Sequence, residues 1–225
     1  MSDAQNSSLP TPSPSSANSE MGVPARKRPK PGERRVQILQ ALATMLEQPG
    51  AERITTAALA ARLEVSEAAL YRHFASKAQM FEGLIEFIEQ TVFSLINQIT
   101  AQERVAVAPD AAALTRQASQ VVAMLMQFAE KNPGMTRVMV GDALVFENER
   151  LQQRMNQFFD KIESTLKQSL RGAAELSGSA TPSVDTQVQA SVLTAFVVGR
   201  LQRFARSNFK RLPSEHLEAS LGLML

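Results

Sequence analysis

The stretch at residues 55–77, TTAALAARLEVSEAALYRHFASK, constrains the fold more than any other part of the chain. Thr55 and Thr56 carry the side-chain oxygens that cap a helix N-terminus. A helix over residues 57–63 follows, with Leu59, Ala60 and Leu63 on its inward face. Residues 63–66 make a tight turn, and Ser66 offers a second cap for a helix over residues 67–73. Val65 and Leu70 face the shared core. Ala57, Ala58, Ala60, Ala61, Ala68 and Ala69 are small enough for two helices to cross closely. Two short helices joined by so tight a turn have the spacing of a helix-turn-helix, whose second helix fits a DNA major groove. Ser76 and Lys77 then start a third helix.

The flanking sequence is helical throughout. Residues 33–48 place Val36, Ile38, Leu39, Leu42, Met45 and Leu46 at helical spacing, and Pro49-Gly50 stops the run. From Ser76 a long helix passes Asn97 with Met80, Phe81, Leu84, Ile85, Phe87, Ile88, Val92, Leu95, Ile96 and Ile99 apolar. Both of its faces contribute, which predicts burial between two modules. Pro109-Asp110 opens a helix over residues 111–131, and Asn132-Pro133-Gly134 ends it. Further helices are predicted over residues 135–145 and 148–171. A Gly/Ser/Ala/Pro-rich loop at 172–183 separates them from a long helix over residues 184–209. Gly199 inside that last helix costs about 1 kcal/mol against Ala, a cost that a close helix contact would justify. Leu212-Pro213-Ser214 breaks the chain before a closing helix to residue 225. No strand alternation competes, so the expected class is all-α. The expected division is an extension at 1–31, a helix-turn-helix unit at 32–78 and a helical pairing and partner-binding unit at 79–225.

Composition narrows the chemistry. Of 225 residues, 44% are hydrophobic, enough for a substantial core. A formal net charge of +2 is too mild to argue for nucleic acid, so position has to decide. The chain has no Cys, which excludes disulfides, thiolate metal sites and cysteine nucleophiles. His73 and His216 are the only histidines, too few for a His-rich metal site. No Gly-rich phosphate loop and no nucleophile elbow occur, and the carboxylates are scattered along amphipathic helices. The expectation is a protein without enzymatic activity, metal or cofactor. The apolar run at 121–126 is too short to span a bilayer and the polar N-terminus lacks a signal-type apolar region, so a soluble cytoplasmic protein without membrane association is expected. Residues 1–24 are rich in Ser and Pro and are expected to be disordered.

Several side chains of the 55–77 stretch suit DNA contact. Ser66, Glu67, Ala69, Arg72 and His73 turn outward on the second helix while Leu70 stays inside. Thr55 and Thr56 offer hydroxyls and free N–H groups to a phosphate. Tyr71, the chain's single Tyr, can place its hydroxyl on the backbone, and Lys77 can reach it from the next helix. Structural roles compete at each position: His73 capping its helix, Tyr71 closing the core, Thr55 only capping. The basic run Arg26, Lys27, Arg28, Lys30, Arg34 and Arg35 reads either as a solvated tail or as an arm tracking phosphates or the minor groove.

The 55–77 run, above all Leu70-Tyr71-Arg72-His73-Phe74 and Ser76-Lys77, resembles the DNA-binding unit of TetR-family regulators. The resemblance implies a three-helix DNA module joined through a long fourth helix to an all-α dimerisation domain. Glu64 departs from it at a turn position where the family commonly has Gly; a left-handed conformation there costs about 1 kcal/mol. The segments SEAALYRHF, LIEFIEQ, KNPGMTRVMVGDALVFENERLQQRMNQFFDKIE and RSNFKRLPSE extend the likeness to the family's nucleoid occlusion factors. That likeness implies a nucleoid-associated homodimer on double-stranded palindromic DNA that, when DNA-bound, antagonises assembly of the division protein FtsZ. The dimer seam is then expected from residues 184–209 and the closing helix. The FtsZ tail is expected between the DNA module and the dimerisation domain, with Phe87, Met124 and Lys131 as candidate contacts; plain core is the competing role of Phe87 and Met124. Two other readings stay open. A Met-rich interior of Met124, Met126, Met135 and Met139 suits a ligand-responsive repressor. An all-α interaction protein that never touches DNA is the third.

Overall fold

A computed structural model describes residues 32–48, 54–104 and 110–225, and among these it is all-α, with nine α-helices. Three short helices come first: α1 (Glu33–Leu46), α2 (Thr56–Arg62) and α3 (Glu67–Tyr71). Thr55 caps α2, its Oγ1 accepting from the Ala58 N–H at 3.1 Å, and Ser66 caps α3, accepting from the Ala69 N–H at 3.3 Å. Glu64 adopts φ 54°, the left-handed conformation that lets the chain reverse within the turn. Leu59, Leu70 and Phe74 close the core of this unit against Ile38, Leu42 and Leu46 of α1, each no more than 1% exposed.

The long α4 (Lys77–Arg104) leaves this unit and packs against α5 (Ala111–Lys131), α6 (Pro133–Met139) and α7 (Glu149–Leu176). Its buried face carries Met80, Phe81, Leu84, Ile85, Ile88, Val92 and Ile96. Leu84 and Ile88 belong to the same apolar cluster as Leu42 of α1 and Val121 of α5, so one continuous core runs through both units. Phe87 is the exception on α4. It is 46% exposed and shares an outward face of α4 with the exposed Glu82, Glu86, Gln90 and Ser94, so the helix is buried on one side and not between two modules as predicted.

Several of the expected elements have different bounds; the 67–73 helix ends at Tyr71 as α3, which leaves Arg72 at its C-cap and His73 beyond it. The predicted 135–145 helix is split into α6 and a 3-10 turn, Asp142–Leu144, because Gly141 between them takes φ 83°. The helix predicted to end at residue 171 continues as α7 to Leu176, which shortens the expected 172–183 loop to residues 177–181. The next helix, α8, spans Pro182–Arg206, with Pro182 in the first-turn position where its missing N–H costs nothing. The closing helix α9 is Leu217–Met224. Helices α5, α7 and α8 form the bulk of the C-terminal core. Inside it Ser169 donates to Gln117 Oε1 at 2.7 Å, which satisfies a polar pair held between α7 and α5.

Gly199, expected to mark a close helix contact, has nothing of its own chain, among the described residues, within 4 Å of where a β-carbon would sit. The close contact falls at Gly134 instead, where α6 crosses α1.

Candidate nucleic-acid interface

The outward side of the α2–α3 unit gathers most of the residues singled out from the sequence. Ser66, Glu67, Arg72 and His73 are exposed, Tyr71 is 45% exposed, and Ala69 is half-buried. Tyr71 therefore does not close the core; Leu70 and Phe74 on either side of it do. The Tyr71 hydroxyl lies 3.5 Å from Thr56 Oγ1, and Thr56 donates to Glu67 Oε2 at 2.6 Å. This chain of hydroxyls ties the start of α2 to the start and end of α3. It fixes three candidate contact groups relative to one another before any ligand arrives. Thr55 and Ser66 use their oxygens as caps, yet each hydroxyl keeps its hydrogen to donate to an anion.

The basic residues divide by role. Arg72 forms the C-cap position of α3 and is exposed, with His73 beside it. Arg35 is held against the unit: its guanidinium sits 4.3 Å from the Phe74 ring centroid and donates to the His73 carbonyl at 3.3 Å. That contact fastens α1 to the end of α3 while leaving the charge near the same surface. Arg34 donates to Gln37 Oε1 at 2.9 Å within its own helix. Lys77, in the first turn of α4, forms an ion pair with Glu147 from the loop before α7. Arg26, Lys27, Arg28 and Lys30 lie outside the described residues.

Sequence reasoning missed the long-range contacts that tie the end of α1 and the long α4 to the C-terminal helices. Arg137 of α6 donates to the Gln48 carbonyl at 2.8 Å and to Asn208 Oδ1 at 3.3 Å, with its guanidinium 4.9 Å from the Phe209 ring centroid. Arg154 of α7 makes a two-pronged contact with Glu89 of α4, at 3.0 and 2.7 Å. The hydrogen bond to Glu89 raises the Arg154 pKa above its ordinary value against the opposing effect of burial, with the charges of Glu89, Glu86 and Glu82 adding to it. These partners are 65 to 89 residues apart in sequence, so no local pattern announces them.

Of the residues considered for a partner groove, Phe87 is exposed on α4, Lys131 is exposed at the end of α5, and Met124 is partly buried on α5 against the core. Met126 and Met139 are buried at 0% and 2% exposure. A hollow of about 680 Å³ on the outside of α5 is lined by Gln120, Ala123, Gln127, Ser214, His216 and Glu218, among others, and by none of the methionines. Among the described residues no group of three or more His, Cys, Asp or Glu could hold a metal ion. No helix there is long and apolar enough to cross a membrane.

Residues 38–84, which hold α2, α3 and their caps, match the model of bacterial regulatory proteins of the tetR family. Residues 112–225 match the tetracyclin repressor-like C-terminal domain. The chain belongs to the TetR family. Within the TetR family it is similar to proteins named nucleoid occlusion factor SlmA. The one from Idiomarina loihiensis is 51% identical over 191 residues, covering 85% of this chain and 93% of that one. The one from Vibrio cholerae is 50% identical over 192 residues, with 85% and 93% covered. Solved TetR-type structures share the fold at low identity. The fatty acid degradation regulator FadR from Bacillus halodurans aligns with a TM-score of 0.66 at 15% identity, covering 88% of this chain and 97% of that one. FadR from Bacillus subtilis, solved with stearoyl-CoA, aligns at 0.64 and 15% identity, covering 84% and 96%. TetR-family membership makes this chain a DNA-binding regulator, with α2 and α3 inside the segment that matches the model of tetR-family regulatory proteins.

Proposed function

We propose that this chain is a nucleoid-associated, non-enzymatic DNA-binding protein that inhibits FtsZ ring assembly when it is bound to DNA. Likeness to nucleoid occlusion factors at about half identity over 85% of the chain carries this reading. Two copies of α3 would enter successive major grooves about 34 Å apart, the spacing that a palindromic site demands of a two-fold dimer. Arg72 and His73 donate to phosphate or base edges, and the Glu67 carboxylate suits a cytosine amino group. Thr55, Thr56, Ser66 and Tyr71 supply hydroxyl contacts to the backbone, and Ala69 lets the helix come close. Lys77 adds a phosphate contact once it is free of Glu147. The DNA module then comprises residues 32–78 and the pairing and partner unit residues 79–225.

The FtsZ tail is proposed to lie along the α4–α5 side, on Phe87, Met124 and Lys131. An aromatic ring left 46% exposed beside the exposed Glu86 and Gln90 on the outer face of α4 supports that assignment for Phe87. Burial of Met126 and Met139 in packed core speaks against a ligand-responsive repressor built on the methionines.

Sedimentation of FtsZ polymers with GTP tests the reading. The protein together with a duplex selected by it from genomic fragments lowers the pelleted FtsZ, and the protein without that duplex lowers it less. Unchanged pelleting and unchanged light scattering with the duplex present would sink the proposal.

A further inference from the structure

We infer that the Lys77–Glu147 ion pair is a latch between the DNA-reading end and the C-terminal helices, opened when a DNA phosphate takes Lys77 from Glu147. This inference rests on the DNA-binding reading above. Lys77 lies four positions beyond His73, in the first turn of α4, and its side chain is 30% exposed. Its ammonium also sits 5.7 Å from the Phe81 ring centroid, so it is drawn back from the surface that carries Arg72 and His73. Glu147 is far less accessible, its side chain 9% exposed. It lies between the 3-10 turn and α7, and its N–H is held by the Leu144 carbonyl at 3.0 Å.

The asymmetry in burial makes this pair responsive to DNA. A carboxylate so far from water keeps its cation unless a comparable anion removes it, because its desolvation is otherwise uncompensated. A duplex supplies that anion at high density, about one negative charge per 1.7 Å of axis. Once Lys77 turns to a phosphate, Glu147 has to move toward water and takes the 145–148 loop with it. That loop leads into α7 through the Asn148 cap, whose side-chain oxygen accepts from the Arg150 N–H at 3.0 Å. Helix α7 packs on α4 and α5, which carry Phe87, Met124 and Lys131. DNA occupancy is thereby passed to the proposed partner groove through a change of partner at one lysine. The other two clasps, Arg137 and Arg154, use cations that bond to Gln48 and Glu89, away from the α2–α3 face.

A double-mutant cycle on duplex affinity tests the latch. Glu147→Gln, which keeps size and removes charge, tightens binding about tenfold near 0.1 M salt, since DNA no longer has to break the pair. In a Lys77→Met background the same Glu147→Gln change alters affinity by less than about twofold, because the two residues act as one unit. Lys77→Met in the Glu147→Gln background flattens the log–log salt dependence by about one per protomer, the loss of one phosphate contact on each side. Equal tightening by Glu147→Gln in both backgrounds would mean plain charge repulsion and would overturn the latch, as would no tightening in either. The chain has no native Cys, so a fluorophore on Val145→Cys, a position 64% exposed, reports the loop independently. Its emission shifts on adding duplex to the otherwise unaltered chain and stays constant with Lys77→Met. A constant emission in both overturns the latch. Failure of the unaltered protein to bind any selected duplex would instead refute the DNA-binding reading itself.

Discussion

A β-carbon on Gly134 would lie 1.9 Å from the Ala43 carbonyl oxygen and 2.9 Å from its carbon. Both are backbone atoms of α1, so the neighbour cannot turn aside as a side chain would. Relief requires α6 and α1 to separate, and Arg137, three residues on, bridges the same junction to the Gln48 carbonyl. Gly134→Ala gains up to about 1 kcal/mol in helix propensity, yet overpacking against backbone costs about 1–3 kcal/mol or more and wins. Urea denaturation of the dimer should show a lower midpoint for Gly134→Ala; an unchanged or higher midpoint would mean that the helix pair has slack. Asn208 and Phe209 carry the opposite kind of constraint, with φ 53° and 63° directly after α8. Phe209 packs edge-on against Phe204 at 5.2 Å and receives the Arg137 guanidinium, contacts that offset two left-handed residues.

At the scale of elements, periodicity and capping chemistry made most helices legible, because their apolar residues recur at helical spacing and α2, α3, α5 and α7 each begin at a side-chain oxygen that accepts from the first turn. The end of α7 was not legible, and Gly172 explains why. Its composition suggests a loop, but the Leu114 side chain from α5 lies 2.7 Å from where a β-carbon would be, so the glycine serves helix packing. Tertiary contact outweighs local propensity there. The candidate interface was legible for a different reason: α2 and α3 are short, local and capped by their own sequence. The Lys77–Glu147 and Arg154–Glu89 pairs join residues 70 and 65 positions apart and could not be read from spacing. Helix α8 adds an element-scale prediction. Val184, Val188 and Val192 are 62%, 58% and 47% exposed, and with Ala195 and Gly199 they continue at helical spacing. Such an apolar stripe suits a two-fold helix seam, with Gly199 at the close crossing. Val188→Asp with Val192→Asp should weaken the dimer by about 100-fold or more in sedimentation equilibrium, since a carboxylate would be buried without a partner on both sides. The protomer should keep its helical circular dichroism because both positions face outward. A dimer of unchanged strength would place the seam elsewhere.

For the whole molecule, the proposed function requires two surfaces that fail independently. The α2–α3 face and the α4–α5 side share a continuous core but draw on different residues, so each can be removed without the other. Arg72→Ala with His73→Ala alters two exposed side chains and leaves Phe74 and the Arg35 contact in place. Duplex binding should then be lost, about 2–4 kcal/mol for two charge-assisted contacts per protomer, with the dimer intact. FtsZ pelleting should become insensitive to added duplex. Phe87→Ala with Lys131→Ala should do the reverse, keeping duplex affinity within about threefold while abolishing the effect on FtsZ, because additivity holds for sites without shared partners. Chromosome-wide mapping of the first variant should lose its peaks, and mapping of the second should retain the pattern of the unaltered chain. If Phe87→Ala with Lys131→Ala instead lost duplex binding, the α4–α5 side would be part of the DNA module's scaffold and the partner groove would have to be sought on another face. If Arg72→Ala with His73→Ala still bound the selected duplex with unaltered affinity, α3 would not be the reading helix, and DNA contact would have to come from outside the 55–77 stretch.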